Sequence, residues 1–342
     1  MSKTNVVFVI DVYSSFHSFG LLHDLEVISY YASRRFGENV LIRRIDVSFD
    51  AFNSIRVHDN FPESLGKPGD MAIFLEHAFI ADFLYKYKER AFFINPEWFT
   101  QNDGIASDAL VNTFLHKTRH YHSALKPVLT KQRHVYTGFT SIDPGVKVNN
   151  YTSFSHFRGL SWRRLTQDVI EVWRQNALLP LLRVHAYGDD IAVNTNAWVG
   201  TGNMQFYFGK LERDVYFREL AQGGIHLCTT KVEGFGHFVN EARAMSALTI
   251  VLDGAPMNEI ITPDTGILVP TSDSRPQFYG TVYSAEPEEI NHAIDRALRL
   301  PVAERERMGR FARTQYEQQA EEFRHAFCDY LQPFVDEALG LP

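Results

Sequence analysis

The chain is predicted to be α/β, built as two successive domains that each carry a doubly wound parallel sheet. Short apolar runs alternate with segments of helical spacing along most of its 342 residues, the pattern of parallel strands joined by crossover helices. A chain of this length suits two domains of ordinary size, each able to bury a core of its own. The stretch 141–150, SIDPGVKVNN, is rich in turn formers and poor in apolar residues, and marks the seam between them.

In the first half, strands are expected at 6–12, 40–45, 71–75 and 91–94, with helical patterns at 21–36 and 79–87 between them and a further strand-like run at 109–115. A second series of strands begins near Tyr151, at 152–157, 182–187, 204–208, 225–228 and 248–252. The last helical stretches, 301–323 and 324–339, are separated by no clear breaker.

Bulk composition narrows the function classes. A hydrophobic content of 45% is globular, and no stretch approaches the roughly 20 uninterrupted apolar residues that span a bilayer. The apolar run of the N-terminal MSKTNVVFVIDVYSS is too short for a signal peptide, so a soluble, cytoplasmic protein is expected. Cys228 and Cys328 lie in apolar contexts without metal-ligand spacing and read as core thiols. The net charge of −7 is uneven: residues 1–150 hold 16 Lys/Arg against 16 Asp/Glu, residues 151–342 hold 18 against 25. No acidic residue occurs between Asp108 and Asp143, where Lys117, Arg119, Lys126, Lys131 and Arg133 stand beside His116, His120, His122 and His134. That stretch is either a solvated helix and loop or a site for a polyanionic acceptor.

The chemistry concentrates in 231–270, KVEGFGHFVNEARAMSALTIVLDGAPMNEIITPDTGILVP. Glu233 and Glu241 stand eight residues apart and flank Gly234-Phe235-Gly236. The run 225–228 reads as a buried strand and 239–248 has helical spacing, so the glycines fall on a strand-to-helix turn. Such a turn bares the unpaired amides of the helix's first turn, at the positive end of its dipole, to an anion such as a diphosphate. Glu233 would point at sugar hydroxyls. Glu241, about one turn inside the helix, would accept both hydrogen bonds of a ribose diol.

The segment resembles the donor-binding part of retaining GT-B glycosyltransferases, the large E-x7-E superfamily of family 4 and family 1 type. The resemblance rests on four elements in order: Glu241-Ala-Arg-Ala-Met245, Thr249-Ile-Val251, Asn258-Glu259-Ile-Ile261 and Gly266-Ile-Leu-Val269. It implies two Rossmann-like domains facing a cleft, an acceptor-side domain at 1–146 and a nucleotide-sugar donor domain at 147–324. A final helix, 325–342, would cross back to the first domain.

The same resemblance assigns site residues. In relatives the loop after the first strand carries glycines near the donor's distal phosphate. Here Gly20 matches, the usual double glycine is absent, and His17 and Ser18 supply polar groups. After 91–94 many relatives place a histidine on the transferred sugar, whereas this chain has Asn95-Pro-Glu-Trp98. Asn95 or Glu97 would take over its hydrogen bond, or Glu97 would receive the acceptor's proton, with Trp98 as a stacking face and His77 as a second candidate. Lys117 and Arg119 are placed on the acceptor side. The segment 154–164 resembles the family's G-R-x-x-x-x-K-G, in which an Arg and a Lys reach the diphosphate. Arg158 and Arg164, with Arg163 as near neighbour, are the counterparts, and guanidinium suits phosphate oxygens through paired, permanently charged donors. Tyr187 and Gly188 fall where the base lies, and Phe235 and His237 complete the donor loop.

The implied activity is that of a metal-independent hexosyltransferase with no cofactor. It would pass a sugar from a nucleoside diphosphate, expected to be a UDP-sugar, to a hydroxyl of a glycan or lipid-linked glycan, with retention. The alternatives are the same chemistry on a hydroxylated base in DNA and a sugar-nucleotide 2-epimerase, which needs no acceptor.

Overall fold

The computed structural model describes residues 7–15, 18–47, 61–76, 78, 82–99, 110–159, 161–186 and 202–341. The chain divides into two compact units, the first comprising Met1–Ile142, Phe278–Gly280 and Gln319–Pro342, the second Asp143–Gln277 and Thr281–Gln318.

The first unit holds a six-stranded sheet of β1 (Phe8–Ser14), β2 (Val40–Asp46), β3 (Met71–Leu75), β4 (Glu89–Phe93), β5 (Thr113–His116) and β6 (Arg133–Tyr136), in the order β2-β1-β3-β4-β5-β6. All pairings are parallel. Parallel sheets bury both faces, so their central strands are apolar throughout, and every residue of β3, MAIFL, is buried. Helix α1 (Phe19–Phe36) follows β1, its N-terminus capped by Ser18, and α2 (Arg119–Leu125), capped by Thr118, follows β5. Phenylalanines dominate the core: Phe92, Phe99 and Phe114 meet one another at centroid distances of 5.9–6.0 Å. Where helical spacing over 79–87 predicts an α-helix, residues Asp82–Lys86 form a 3-10 helix. The chain leaves it because the Tyr87 hydroxyl is drawn into the core to donate to the buried Asp11 carboxylate at 2.6 Å, and β4 starts two residues later.

The second unit holds β7 (Phe154–Gly159), β8 (Leu182–Ala186), β9 (Met204–Phe208), β10 (Ile225–Leu227), β11 (Leu248–Leu252) and β12 (Gly266–Val269), ordered β12-β11-β10-β7-β8-β9, again all parallel. Its helices are α3 (Thr166–Gln175), α4 (Arg213–Leu220), α5 (His237–Ala244), α6 (Met257–Ile260) and α7 (Pro287–Arg299). The strands β13 (Asp273–Gln277) and β14 (Gly280–Ser284) make a two-stranded sheet of their own. Helix α3 buries Val169, Ile170, Val172 and Trp173, residues three and four apart that share one face.

The 301–339 region is one helix, α8 (Val302–Leu339), which belongs to the second unit as far as Gln318 and to the first from Gln319. Near its start a Cβ on Gly309 would stand 2.0 Å from the Ser246 carbonyl oxygen, so this close approach requires glycine. Beyond Gln319, Phe323 packs on Phe139 and Phe327 on Phe93, at 4.9 and 6.0 Å. Burying each ring contributes about 1.5–3 kcal/mol. The Tyr330 hydroxyl donates to the buried Glu89 carboxylate at 2.8 Å. Among the described residues no helix is long and apolar enough to cross a membrane.

Candidate functional site

Open parallel sheets bind ligands beyond the carboxyl ends of their strands, at the point where successive connections turn to opposite sides. In the second unit that point lies between β7 and β10, because the chain proceeds from β7 outward to β9 and returns on the other side of β7. The segments after these two strands carry the predicted arginines and glutamates.

Backbone pairing joins the two segments. The Leu165 amide donates to the Thr229 carbonyl and the Lys231 amide to the Arg163 carbonyl, each at 3.0 Å, and Arg164 bridges Thr230. Gly159, with φ 57°, turns the chain out of β7 directly after Arg158. The pairing brings Arg163 and Arg164 beside the turn that starts at Glu233, and Arg158 stands near the end of the adjacent strand β7. Arg158 and Arg163 are buried. The Arg164 guanidinium carbon lies 3.9 Å from the Phe238 ring centroid, and its buried Nε has no hydrogen-bond partner.

Glu233 Oε1 accepts from the Thr230 hydroxyl at 3.0 Å. Burial pushes its carboxyl above the ordinary range, while Arg164, the Thr230 bond, Arg163 and His237 act the other way. Gly236 is left-handed, φ 90°, at the N-cap of α5, and the first turn of that helix carries no acidic residue. The nearest carboxylate side chain is that of Glu233, whose Cγ would lie 3.6 Å from a Cβ on Gly236, beside the positive end of the helix dipole. Gly234 and Phe235 are buried in the turn and His237 opens the helix. Glu241 is buried, and its Oε2 accepts from the Tyr216 hydroxyl at 3.5 Å.

Two features here escape sequence reasoning. Buried His156 accepts or donates at both nitrogens, 2.8 Å from the Leu227 carbonyl and 2.8 Å from the Thr166 hydroxyl. Burial lowers its pKa to about 4, so it is a neutral strut between β7, β10 and α3. A stack of near-parallel rings crosses the carboxyl halves of three strands, with Phe157 on His185 at 4.0 Å and His185 on Tyr207 at 4.5 Å. Neither ring nitrogen of His185 has a hydrogen-bond partner. The only local signal was an aromatic or histidine near the end of each strand. Tyr187 and Gly188, which follow β8, lie outside the described residues.

In the first unit the corresponding point lies between β1 and β3. Gly20 sits in the first turn of α1, where a Cβ would meet only Ser18 Oγ, at 3.9 Å. His17 and His77 lie outside the described residues. Asn95 and Glu97 are both buried, Trp98 is half-buried, and the Trp98 amide closes their turn on the Asn95 carbonyl at 3.0 Å. Residues 278–280 cover it, since the Tyr279 amide donates to the Pro96 carbonyl at 3.1 Å and a Cβ on Gly280 would stand 3.0 Å from Glu97 Cα. Lys117 is buried, its Nζ 2.6 Å from Asp24 Oδ2 and 3.0 Å from Asn95 Oδ1. Arg119 is exposed at the start of α2, over the Tyr136 ring at 4.5 Å. Asp24 was legible in principle: it interrupts the buried stripe of Leu21, Leu25, Ile28 and Ala32, and a carboxylate in such a stripe needs a cation.

The His-rich stretch does not form one basic face. His116 is fully buried, and its Nε2 lies 2.8 Å from His134 Nδ1. Burial, with His134 and His122 beside it, lowers its pKa to about 3. Arg133 lies 3.3 Å from Glu89.

No family model and no curated protein matches this chain. Among solved structures it is similar to Anabaena HepE in complex with UDP and glucose, at a TM-score of 0.66 and 12% identity, covering 95% of this chain and 100% of that one. It is also similar to sucrose-phosphate synthase from Thermosynechococcus elongatus, at 0.66 and 11% over 96% and 99%. A third likeness is to α,α-trehalose 6-phosphate synthase from Burkholderia multivorans, at 0.63 and 12% over 97% and 98%. The two parallel six-stranded sheets are those of the GT-B glycosyltransferase fold.

Proposed function

We propose that this chain is a glycosyltransferase whose second unit binds a nucleoside-diphosphate sugar, and whose first unit, over roughly the predicted 1–146, takes an acceptor hydroxyl. The observation that carries the reading is the pairing that sets Arg163 and Arg164 beside the turn at Glu233, with Arg158 near the end of β7, at the switch point between β7 and β10. HepE, which shares the fold, was solved with UDP and glucose and also with UDP-glucose, which favours a UDP-sugar.

The chemistry follows from the charges. As the bond between the anomeric carbon and the diphosphate oxygen lengthens, positive charge grows on the sugar ring and negative charge on the departing diphosphate. Preorganised cations and amides aimed at that negative charge lower the barrier, each donor typically by 10²–10³-fold. The three guanidinium groups and the first-turn amides of α5 are such donors. They would let the reaction run without a metal. On this reading Glu241 would accept from a ribose diol, and Glu233 from sugar hydroxyls. Retention at the anomeric carbon rests on the resemblance of the 231–270 segment.

For the acceptor we favour a glycan hydroxyl over a DNA base. The stretch that suggested nucleic acid has His116 and Lys117 buried, and Lys117 is neutralised by Asp24. Tracking a phosphate backbone needs accessible cations. The epimerase alternative predicts an epimerised UDP-sugar with no acceptor present, which product chromatography distinguishes from transfer.

The test is thermal stabilisation by UDP-, GDP-, ADP-, CDP- and dTDP-sugars, since a ligand selective for the folded state raises the melting temperature. A shift with one series, lost in Glu241→Ala, is expected. A shift that Glu241→Ala leaves intact would remove the site from the second unit's turn.

A further inference from the structure

We propose that Glu76 is a ligand-binding carboxylate of the first unit, which accepts hydrogen bonds from the hydroxyls of a glycoside, and that Lys117 is the residue that sets it in position. The proposal rests on the reading of the protein as a glycosyltransferase and names the acceptor-side group that this reading leaves open.

Three observations place Glu76 there. It directly follows β3, at the carboxyl edge of the sheet where the connections leaving β1 and β3 diverge, the crevice in which open parallel sheets hold ligands. Its φ is 66°, a left-handed conformation that side-chain-bearing residues rarely adopt and that collects at functional sites. Its carboxylate is also held in one orientation by a chain of buried polar groups. Asp24 Oδ2 accepts from Lys117 Nζ at 2.6 Å, Lys117 Nζ donates to Asn95 Oδ1 at 3.0 Å, and Asn95 Nδ2 donates to Glu76 Oε2 at 3.1 Å.

The order of donors makes this chain directional. An ammonium only donates, so the Asn95 carbonyl oxygen must face Lys117 and its amide nitrogen must face Glu76. Lys117 is itself fixed by the ion pair with Asp24 and by the Phe139 ring, whose centroid is 4.8 Å from Nζ. Asp24, Lys117 and Asn95 are buried, whereas Glu76 is half-buried. The buried part of the network therefore serves to hold a group at its outer end. Lys117 acts through Asn95 and is a positioning residue.

The same logic supplies a sharp variant. Glu76→Gln keeps the shape of the side chain and an oxygen for the Asn95 amide, but removes the charge and turns one acceptor oxygen into an NH₂ donor. A sugar hydroxyl then meets a neutral amide in place of a charged acceptor. Saturation-transfer NMR with the methyl glycosides of glucose, galactose, mannose and N-acetylglucosamine tests this, with UDP binding followed in parallel. The wild type is expected to show transfer to at least one glycoside. Glu76→Gln is expected to weaken that affinity about tenfold, the scale of a lost charge-assisted hydrogen bond, with UDP affinity and melting temperature unchanged. The pair replacement Asp24→Leu with Lys117→Met, which leaves no buried charge behind, is expected to weaken the glycoside several-fold with UDP affinity again kept. Wild-type glycoside affinity in Glu76→Gln overturns the proposal, as does a wild type that shows no transfer to any of the four. A wild type that binds glycoside but not UDP overturns the donor reading of the second unit and leaves the role of Glu76 to be decided by its own variant.

Discussion

The two switch points of this molecule handle charge in opposite ways. In the first unit, Lys117 is met within the protein by Asp24 and Asn95, and the network reaches the surface as one carboxylate, Glu76. In the second, Arg163 and Arg164 lie beside a turn that holds Glu233, and Arg164 keeps a buried Nε without a partner. A closed network fixes a geometry before any ligand arrives, whereas a cation with an unpartnered buried donor, as at Arg164, leaves a hydrogen bond for an incoming anion. On the proposed reading the difference gives rigidity to one unit and affinity for a dianion to the other. It also predicts that matched substitutions will read out differently, on stability in the first unit and on ligand binding in the second.

The largest effect is expected from breaking the closed network on one side. Lys117→Met takes from the buried Asp24 carboxylate, 2% exposed, the ammonium of its ion pair, at a cost of about 3–5 kcal/mol. Replacing both partners by apolar side chains is expected to restore most of that, because no charge is stranded. Urea unfolding of the single and double variants checks it. A single variant as stable as the wild type would mean that water reaches Asp24 and that the network is not closed.

Arg164→Ala is expected to reverse the pattern. Stability falls by about 1 kcal/mol or less, the value of its contact with the Phe238 ring, while turnover with a nucleotide sugar falls by about 10²–10³. Steady-state kinetics beside a melting curve reads both. A large loss of stability with normal turnover would make Arg164 a structural residue.

How much of this was legible depended on distance along the chain. The strands announced themselves because an apolar run is local, and the 231–270 turn because Glu233, the glycines and Glu241 lie within nine residues. The partner of Lys117 lies 93 residues away on a helix, and nothing in the local sequence of either residue names the other. The ring stack of Phe157, His185 and Tyr207 likewise exists only once β7, β8 and β9 are in register. Glu76 passed unnoticed because its signal is a backbone angle, which a sequence does not carry for a residue other than glycine. The assignment of residues 278–280 to the first unit has the same origin, since Tyr279 stacks on Phe99 at 5.3 Å from across the sequence.

A smaller effect sharpens the open cluster. Gly236 has φ 90°, and a Cβ there would meet only ordinary contacts, 3.5 Å from Val239 Cγ2 and 3.6 Å from Glu233 Cγ. The cost of Gly236→Ala is therefore that of the backbone conformation, about 1–2 kcal/mol. If α5 relaxes its first turn to relieve that strain, the amides move and UDP affinity falls several-fold by calorimetry. Unchanged affinity with the predicted loss of stability would show that the first-turn amides do not bind the diphosphate.

The smallest expected effect is a dependence on pH at Glu233. Burial raises its carboxyl pKa in the folded protein against the partial opposition of Arg164 and the Thr230 hydroxyl. A carboxyl whose folded pKa lies above its unfolded value favours the folded state fully below the unfolded value, about 4.3 for glutamate, and loses that contribution as pH rises through the folded pKa. At neutral pH the ionised group therefore costs the wild type stability. Glu233→Gln removes the cost, so the variant is expected to melt higher than the wild type at pH 7–8, with the difference shrinking as pH falls toward 4. Melting curves across that range check the sign. A variant that is less stable at pH 7 and gains on acidification would mean that the arginines, and not burial, set the state of Glu233, and that the cluster is already balanced before a diphosphate binds.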